Sequence, residues 1–206
     1  WFLLGLFKML GIKSLTDQYT TYDIMVMAVL IAAGGVVKAY WGQVRMILES
    51  IMGPYATFIV GPGFYFWAIL ACYLVRKPLS GTISMVLGGV LEILVGNPFG
   101  LPVLAFNFWE GLGPDIAYSA FKLKKYTVPV AILAGLGASY LGVFYSWYYF
   151  GFNLTFNTPA GRTAFFIFLG EKLLSGIIAG LIGHYLGVAL EKVGVRPPAA
   201  AVVEDA

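Results

Sequence analysis

Apolar residues dominate six stretches of the chain, at about residues 22–40, 62–75, 79–95, 102–121, 128–150 and 161–190. Polar or helix-breaking residues separate these stretches, such as the Arg-Lys-Pro run at 76–78 and the Gly-Asn-Pro run at 96–98. A helix needs roughly 20 apolar residues to cross the hydrocarbon layer of a bilayer. The pattern therefore predicts an all-α integral membrane protein, with six transmembrane helices in one domain, residues 19–194.

The two ends of the chain differ from this pattern. Residues 1–18 are apolar but interrupted by Lys8, Gly11 and Lys13, which predicts an amphipathic segment lying on the membrane surface. Residues 195–206 are rich in proline and alanine and end in acidic residues, which predicts a flexible C-terminal tail.

The basic residues predict how the helices are oriented. If the chain begins in the cytoplasm, nine of its thirteen lysines and arginines face that side: Lys8, Lys13, Arg76, Lys77, Lys122, Lys124, Lys125, Lys192 and Arg196. Cytoplasmic loops of membrane proteins carry such an excess. We therefore expect a multi-pass plasma-membrane protein with both termini in the cytoplasm, and with residues 96–101 and 153–159 outside. Lys38 and Arg45 are expected to flank the outer end of the first helix.

Composition narrows the function classes. Only 11% of the residues are charged, against roughly 25% in a soluble domain. The net charge of +3 calls for no nucleic-acid partner, and a single histidine excludes a histidine-rich metal site. The one cysteine, Cys72, cannot form an internal disulfide. No GxxxxGK[ST] motif is present, so any ATP hydrolysis would require another chain.

Two carboxylates stand out between residues 91 and 110. Glu92 precedes the Gly-Asn-Pro break and Glu110 follows it, both in otherwise apolar sequence. A charged side chain in the middle of a bilayer costs roughly 2.5–3.5 kcal/mol on insertion scales, so its presence suggests a function. We expect a helical hairpin with a polar pocket beneath its tip. The alternative is that both carboxylates only satisfy the packed interior of the bundle.

Further aromatic and acidic residues are predicted at a similar depth on the outer side. They are Trp109, Tyr145, Trp147 and Glu171. A pocket of carboxylates and aromatic rings suits a flat, partly cationic heterocycle, through paired hydrogen bonds and cation–π contacts. Tyrosine and tryptophan also accumulate at membrane interfaces without any ligand, and Glu171 could instead pair with Lys172 or Arg162. These alternatives stay open for Tyr145, Trp147 and Glu171, whereas the position of Trp109 beside Glu110 favours the pocket.

Two further patterns have competing interpretations. Ala28, Ala32 and Gly35 put small residues on one helix face, where another helix of this chain or of a partner could approach closely. Ser139 and His184 are the candidates for an intramembrane serine protease. Tyr140 follows Ser139 where such proteases usually have glycine, which disfavours catalysis.

Four runs in order, MGPYATFIVGPGFYFWAILACYLVRKP, LEILVGNPFG, GLGPD and GLGAS, make the chain resemble a known family over residues 51–193. It is similar to the YkoE-type substrate-binding subunit, or S component, of energy-coupling factor (ECF) transporters. The resemblance implies a non-enzymatic six-helix subunit that binds thiamine or its hydroxymethylpyrimidine precursor from outside. It also implies docking on a transmembrane coupling subunit driven by two ABC-type ATPases.

The resemblance also implies roles for particular residues. Ala28 and Ala32 match the A-x-x-x-A docking face of the first helix, and Glu92 and Asn97 lie on the family-like hairpin. The hypothesis for the site is that carboxylates bind the pyrimidine or balance a thiazolium charge, Asn97 donates or accepts hydrogen bonds, and aromatic rings stack. Its residues are Glu92, Asn97, Trp109, Glu110, Tyr145, Trp147 and Glu171. The alternatives are an S component for another vitamin or a stand-alone small-molecule transporter.

Overall fold

The structure is a computed structural model that describes residues 19–195, and this part of the chain consists of helices and turns. The helices are α1 (Thr21–Met52), α2 (Thr57–Val75), α3 (Ser80–Val95), α4 (Pro102–Ala120), α5 (Val128–Tyr140), α6 (Val143–Tyr149), α7 (Phe152–Thr155) and α8 (Pro159–Lys192). A short 3₁₀ helix, Gly53–Ala56, connects α1 to α2. The predicted all-helical fold is confirmed. The interfacial segment at 1–18 and the tail from 196 lie outside the described residues.

Four helical segments of the described part are long and apolar enough to cross a membrane: Thr21–Met52, Thr57–Val75, Val128–Tyr149 and Pro159–Lys192. The helix α3 is apolar but shorter, with 16 residues. Large apolar side chains such as Met25, Val29 and Ile51 remain exposed along α1. Exposed apolar surface of this extent indicates contact with a bilayer or a partner protein.

Helix α1 extends further than the sequence pattern predicted. It continues to Met52, so Lys38 and Arg45 lie within it, whereas we expected them to flank its end. Arg45 and Glu49 form an ion pair at 2.6 Å, one helical turn apart, and such pairs stabilise a helix. The helix ends at Gly53, which has a φ of 60° that glycine adopts readily. The helix therefore continues through both basic residues, whereas the prediction placed its end beside them.

The predicted fifth helix is interrupted at residues 141–142, which separate α5 from α6. The side chain of Trp109 lies 3.3 Å from the position that a β-carbon would take at Gly142. The close packing of this tryptophan therefore leaves little room for a larger residue at the break.

Small residues bring the helix backbones together. A β-carbon at Gly135 would overlap the carbonyl of Gly176, and one at Gly113 would overlap the backbone of Gly137. The helix pairs α5–α8 and α4–α5 are therefore in backbone contact, as small residues allow in membrane proteins. Gly35 similarly packs against α3, where its β-carbon would lie 2.8 Å from the Gly88 carbonyl oxygen.

A carboxylate from α4 caps the N-terminus of α3. Leu79 precedes α3 and provides no side-chain cap. Instead, Asp115 accepts hydrogen bonds from the Gly81 N–H (3.1 Å), the Thr82 N–H (2.7 Å), the Thr82 hydroxyl (2.6 Å) and the Cys72 thiol (3.3 Å). A negative charge is favourable at a helix N-terminus. Asp115 thus fixes the α3–α4 hairpin at the end opposite its tip.

A second polar cluster joins α2 to α8 at the same end of the bundle. The Arg76 guanidinium forms an ion pair with Glu191, which also accepts a hydrogen bond from the Tyr73 hydroxyl at 3.1 Å. The guanidinium lies over the Tyr126 ring, 5.1 Å from its centroid. Polar interactions therefore close this end, while Gly53–Ala56 and residues 96–101 and 150–158 lie at the other.

We expect Gly180→Ala to lower the melting temperature of the protein purified in detergent. The added β-carbon would lie 2.5 Å from the Ala131 carbonyl oxygen and 2.8 Å from the Ile132 α-carbon, and such overpacking costs about 1–3 kcal/mol. The control is Gly170→Ala in the same helix, where the nearest atom, Phe58 Cζ, is 4.0 Å away. That variant should be neutral or stabilising, since alanine favours a helix by about 1 kcal/mol. Equal melting temperatures of the two variants would contradict the packing described for α8.

Candidate ligand-binding site

A polar cavity lies among α1, α2, α3, α4 and α8 near the tip of the α3–α4 hairpin. We name it the polar chamber, and its volume is about 60 Å³. Its charged and amide side chains are Lys38, Arg45, Glu92, Asn97, Asn107, Glu110, Glu171 and Lys172. Its aromatic side chains are Phe64, Tyr65, Phe99, Phe106, Tyr149, Phe150 and Phe168. The chamber therefore combines both signs of charge with aromatic walls.

A second cavity of about 350 Å³ adjoins the polar chamber. The two cavities share Arg45, Thr57, Phe99, Phe150 and Phe168. The Arg45 guanidinium lies 5.1 Å from the centroid of the Phe99 ring and 5.6 Å from that of Phe150. This cation thus lies between an aromatic residue of the hairpin tip and one that follows α6, at the common wall of the cavities.

A buried lysine connects α1 to the acidic hairpin. The Lys38 ammonium lies 3.2 Å from Glu92 Oε1 and 3.3 Å from Glu110 Oε2, and it donates a 2.5 Å hydrogen bond to Asn107 Oδ1. The side chains of Lys38 and Glu92 are 3% and 2% exposed, and that of Glu110 is 13% exposed. Buried charges are stable only when paired and hydrogen-bonded, so these four side chains depend on one another.

Asparagine amides complete the surroundings of Glu92. Asn107 Nδ2 donates to Glu92 Oε1 and Asn97 Nδ2 donates to Glu92 Oε2, each at 3.0 Å. The Asn97 side-chain oxygen accepts a hydrogen bond from the Phe99 N–H at 2.9 Å, a local bond that is typical of Asn in turns. Asn97 therefore orients the Glu92 carboxylate and shapes the hairpin tip at once.

Glu171 and Lys172 face the chamber from α8. Glu171 is 1% exposed, and its Oε1 accepts a hydrogen bond from the Ser175 hydroxyl at 2.9 Å. Its Oε2 lies 3.5 Å from the Lys172 ammonium and accepts no hydrogen bond from the described residues. Lys172 instead donates to the Tyr65 hydroxyl, and its ammonium lies 4.8 Å from the centroid of the Phe168 ring. Buried oxygens without a donor are uncommon, so Glu171 Oε2 marks a position where a ligand donor would fit.

The structure brings together some of the sequence-predicted site residues. Glu92, Asn97, Glu110 and Glu171 all line the polar chamber. They come from α3, the hairpin tip, α4 and α8, and Glu92 and Glu110 share one ammonium group as their partner. The predicted pocket beneath the hairpin tip thus has a counterpart in the structure.

The three predicted stacking residues lie outside the residues that line the chamber. Trp109 packs edge-on against Phe108 at 5.1 Å, and Trp147 packs against Phe165 at 4.8 Å. Tyr145 contacts Phe106, a lining residue, with 4.9 Å between ring centroids. The walls are formed by phenylalanines, Tyr65 and Tyr149 instead.

Sequence reasoning missed four charged or amide residues of the chamber: Lys38, Arg45, Asn107 and Lys172. The expectation that Lys38 flanks the outer end of its helix is wrong. Helix α1 continues to Met52, and Lys38 lies on its buried face. One signal could have revealed it. The buried face of α1 carries small residues on both sides of Lys38: Gly34, Gly35, Ala39 and Gly42.

The predicted docking residues divide between two environments. Ala28 and Ala32 are exposed on α1, whereas Gly35 is buried against α3. Only the two alanines thus remain accessible to another helix.

The protease alternative requires a serine close to a histidine. The Ser139 hydroxyl donates to the Leu136 carbonyl at 3.1 Å, and it lies beside Gly176. His184 is eight residues further along α8, roughly 12 Å at the rise of a helix, and its ring packs 5.5 Å from that of Tyr73. The two side chains therefore form no catalytic pair.

Comparison with known proteins identifies the family. Residues 22–141 match the family described as "ABC-type cobalt transport system, permease component", and the chain belongs to that family. Its fold is similar to a solved structure described as "Crystal structure of an S-component of ECF transporter", with a TM-score of 0.76 and 26% sequence identity, over 86% of this chain and 88% of that chain. The chain is thus a multi-pass membrane protein of the transporter class.

One relative is similar to this chain over most of both sequences. The chain is 29% identical over 174 residues to the "Putative HMP/thiamine permease protein YkoE" of Bacillus subtilis (strain 168). The aligned region covers 84% of this chain and 85% of the relative. The similarity to YkoE-type S components that the sequence motifs indicated is confirmed. Within residues 19–195 there is no group of three or more His, Cys, Asp or Glu residues that could hold a metal ion.

We expect Asn107→Ala to destabilise the protein by about 2 kcal/mol, because it leaves the buried Lys38 and Glu92 each without one hydrogen-bond partner. Thermal unfolding in detergent would measure the change. Asn153→Ala, an exposed asparagine between α6 and α8, serves as the control and should have little effect. If the two variants unfolded at the same temperature, the network around Lys38 would not contribute to stability.

Proposed function

We propose that this chain is the substrate-binding subunit of an ECF transporter and binds thiamine or hydroxymethylpyrimidine for uptake. The observation that carries the proposal is the convergence of Glu92, Glu110 and Glu171, from three helices, on one aromatic-walled chamber. The S-component fold and the relative named as an HMP/thiamine permease support the same function.

The chemistry of the chamber suits a cationic or hydrogen-bonding heterocycle. A carboxylate can accept two hydrogen bonds from a protonated ring nitrogen and its neighbouring amino group, as an aminopyrimidine offers. Glu110 is the best placed for this, because it is partly exposed and only its Oε2 is engaged by Lys38. Phenylalanine rings on several sides supply faces for stacking. A bare divalent metal ion suits the chamber less, because Lys38, Arg45 and Lys172 would repel it.

We further propose six membrane-spanning segments, with α5 and α6 forming one of them, and cytoplasmic termini. Six basic residues of the described part lie at the end opposite the polar chamber: Arg76, Lys77, Lys122, Lys124, Lys125 and Lys192. Because basic residues favour the cytoplasmic side, the chamber would open to the outside of the cell.

Uptake would require partners for coupling. The chain contains no P-loop motif, so a transmembrane coupling subunit and two ABC-type ATPases would supply the energy. The exposed Ala28 and Ala32 on α1 form a small-residue face on which the coupling subunit can approach closely.

The first test is calorimetric titration of the purified protein with thiamine and, separately, with hydroxymethylpyrimidine. We expect saturable binding of at least one compound, and about tenfold weaker binding in Glu110→Gln, which loses one charge-assisted hydrogen bond at about 1.5–3 kcal/mol. Glu191→Gln is the matched control, because its carboxylate pairs with Arg76 at the end opposite the chamber, and it should weaken binding much less.

Absence of binding for both compounds would refute the proposed ligand. Flux of either compound into liposomes that contain this chain alone would instead indicate a stand-alone transporter and contradict the S-component function.

Coupling has its own test. We expect Ala28→Leu combined with Ala32→Leu to abolish co-purification with the coupling subunit while ligand affinity stays within about twofold, since bulky side chains prevent close helix approach. Ala33→Leu, on a neighbouring exposed face of α1, is the control. An intact complex in the double variant would move the docking surface elsewhere.

A further inference from the structure

The charges that face the polar chamber do not balance locally. Two lysines, Lys38 and Lys172, face three carboxylates, Glu92, Glu110 and Glu171. The third cation of the chamber, Arg45, forms an ion pair with Glu49 at 2.6 Å. Glu49 does not line the chamber. The lysines therefore leave one negative charge uncompensated inside the chamber.

Lys38 is shared by two of the three carboxylates. Its ammonium lies within 3.3 Å of both Glu92 and Glu110. Glu92 also accepts hydrogen bonds from two asparagine amides, so both of its oxygens have partners. A cation tethered to α1 thus already occupies the position that a positively charged ligand would take between these two carboxylates.

Glu171 is paired only loosely, with the Lys172 ammonium 3.5 Å from its Oε2. Its Oε2 accepts no hydrogen bond from the described residues, and Lys172 is directed to the Tyr65 hydroxyl and the Phe168 ring. Because Glu171 is almost fully buried, a ligand cation that filled this open hydrogen-bond position would be weakly screened. Glu171 Oε2 is therefore an acceptor that the described residues leave open to a ligand cation.

We propose that Lys38 sets the charge preference of the chamber: it acts as a built-in cation on Glu92 and Glu110, so that the ligand's single positive charge is received at Glu171. This inference rests on the proposed function and assigns Lys38 a role that the sequence pattern did not suggest. A neutral heterocycle would then bind through hydrogen bonds at the hairpin without using Glu171.

Two compounds that contain the same pyrimidine can distinguish a preference for ligand charge from ligand binding in general. Thiamine carries a permanent positive charge on its thiazolium ring, and hydroxymethylpyrimidine is its neutral counterpart. The readout is the ratio of the two affinities, measured by calorimetry on the purified full chain. A loss of folded protein lowers the active fraction equally for both compounds and leaves the ratio unchanged.

We expect the thiamine preference to rise about tenfold in Lys38→Met, because two negative charges then remain for the ligand, and to fall about tenfold in Glu171→Gln. The double variant Lys38→Met/Glu110→Gln restores the original charge count and should return the ratio close to that of the unmodified protein. Lys192→Met, an exposed lysine near the end of α8, is the control and should leave the ratio unchanged.

A second comparison covers the case in which Lys38→Met does not yield folded protein. The ratio in Lys38→Met/Glu110→Gln should then exceed that in Glu110→Gln alone by about tenfold, because the two proteins differ only in the lysine charge. An unchanged ratio in either comparison, with binding retained, would overturn the role of Lys38 and leave the proposed function standing. Failure of the unmodified protein to bind either compound would overturn both.

Discussion

The ion-pair network around Lys38 is the interaction on which the rest of the structure depends. A lysine and a glutamate are almost fully buried in a bundle whose surroundings are apolar, together with a second glutamate that is mostly buried. Each charge alone would be strongly unfavourable there, and removing one partner from such a group typically costs about 3–5 kcal/mol. Because the partners come from α1, α3 and α4, these helices have to pack together for the charges to be satisfied. The same network forms one wall of the chamber, so residues that stabilise the bundle also belong to the proposed ligand site.

Close backbone contacts make this arrangement possible. Glycines on α5 and α8 leave no space between the two helices, and Gly35 does the same between α1 and α3. Large apolar side chains consequently point outward, along α1 in particular. In a bilayer this outward surface is not penalised, because lipid tails are as apolar as the side chains. Small residues inside and large residues outside thus leave room in the bundle for polar groups.

The two ends of the bundle have different physical character. At one end, Asp115 caps α3 and the Arg76–Glu191 pair joins α2 to α8, so polar groups there are engaged within the chain. At the other end, the cavities meet beside Arg45, and one oxygen of Glu171 accepts no hydrogen bond from residues 19–195. A closed end and an open end suit a subunit that takes up a ligand on one side of the membrane and couples to other proteins elsewhere.

The sequence by itself determined the helical membrane class, the hairpin and its two carboxylates, because apolar runs and isolated charges are local features with a strong energetic meaning. It also determined the family, through motifs around Gly-Asn-Pro and Arg-Lys-Pro. Only the tertiary structure decided that Lys38 is buried between Glu92 and Glu110, since a lysine near an apolar run can equally flank a helix or turn inward. The tertiary structure also decided that phenylalanines and Tyr65 line the chamber while Trp147 packs elsewhere, because an aromatic residue has the same local signature in a pocket, a core or an interface.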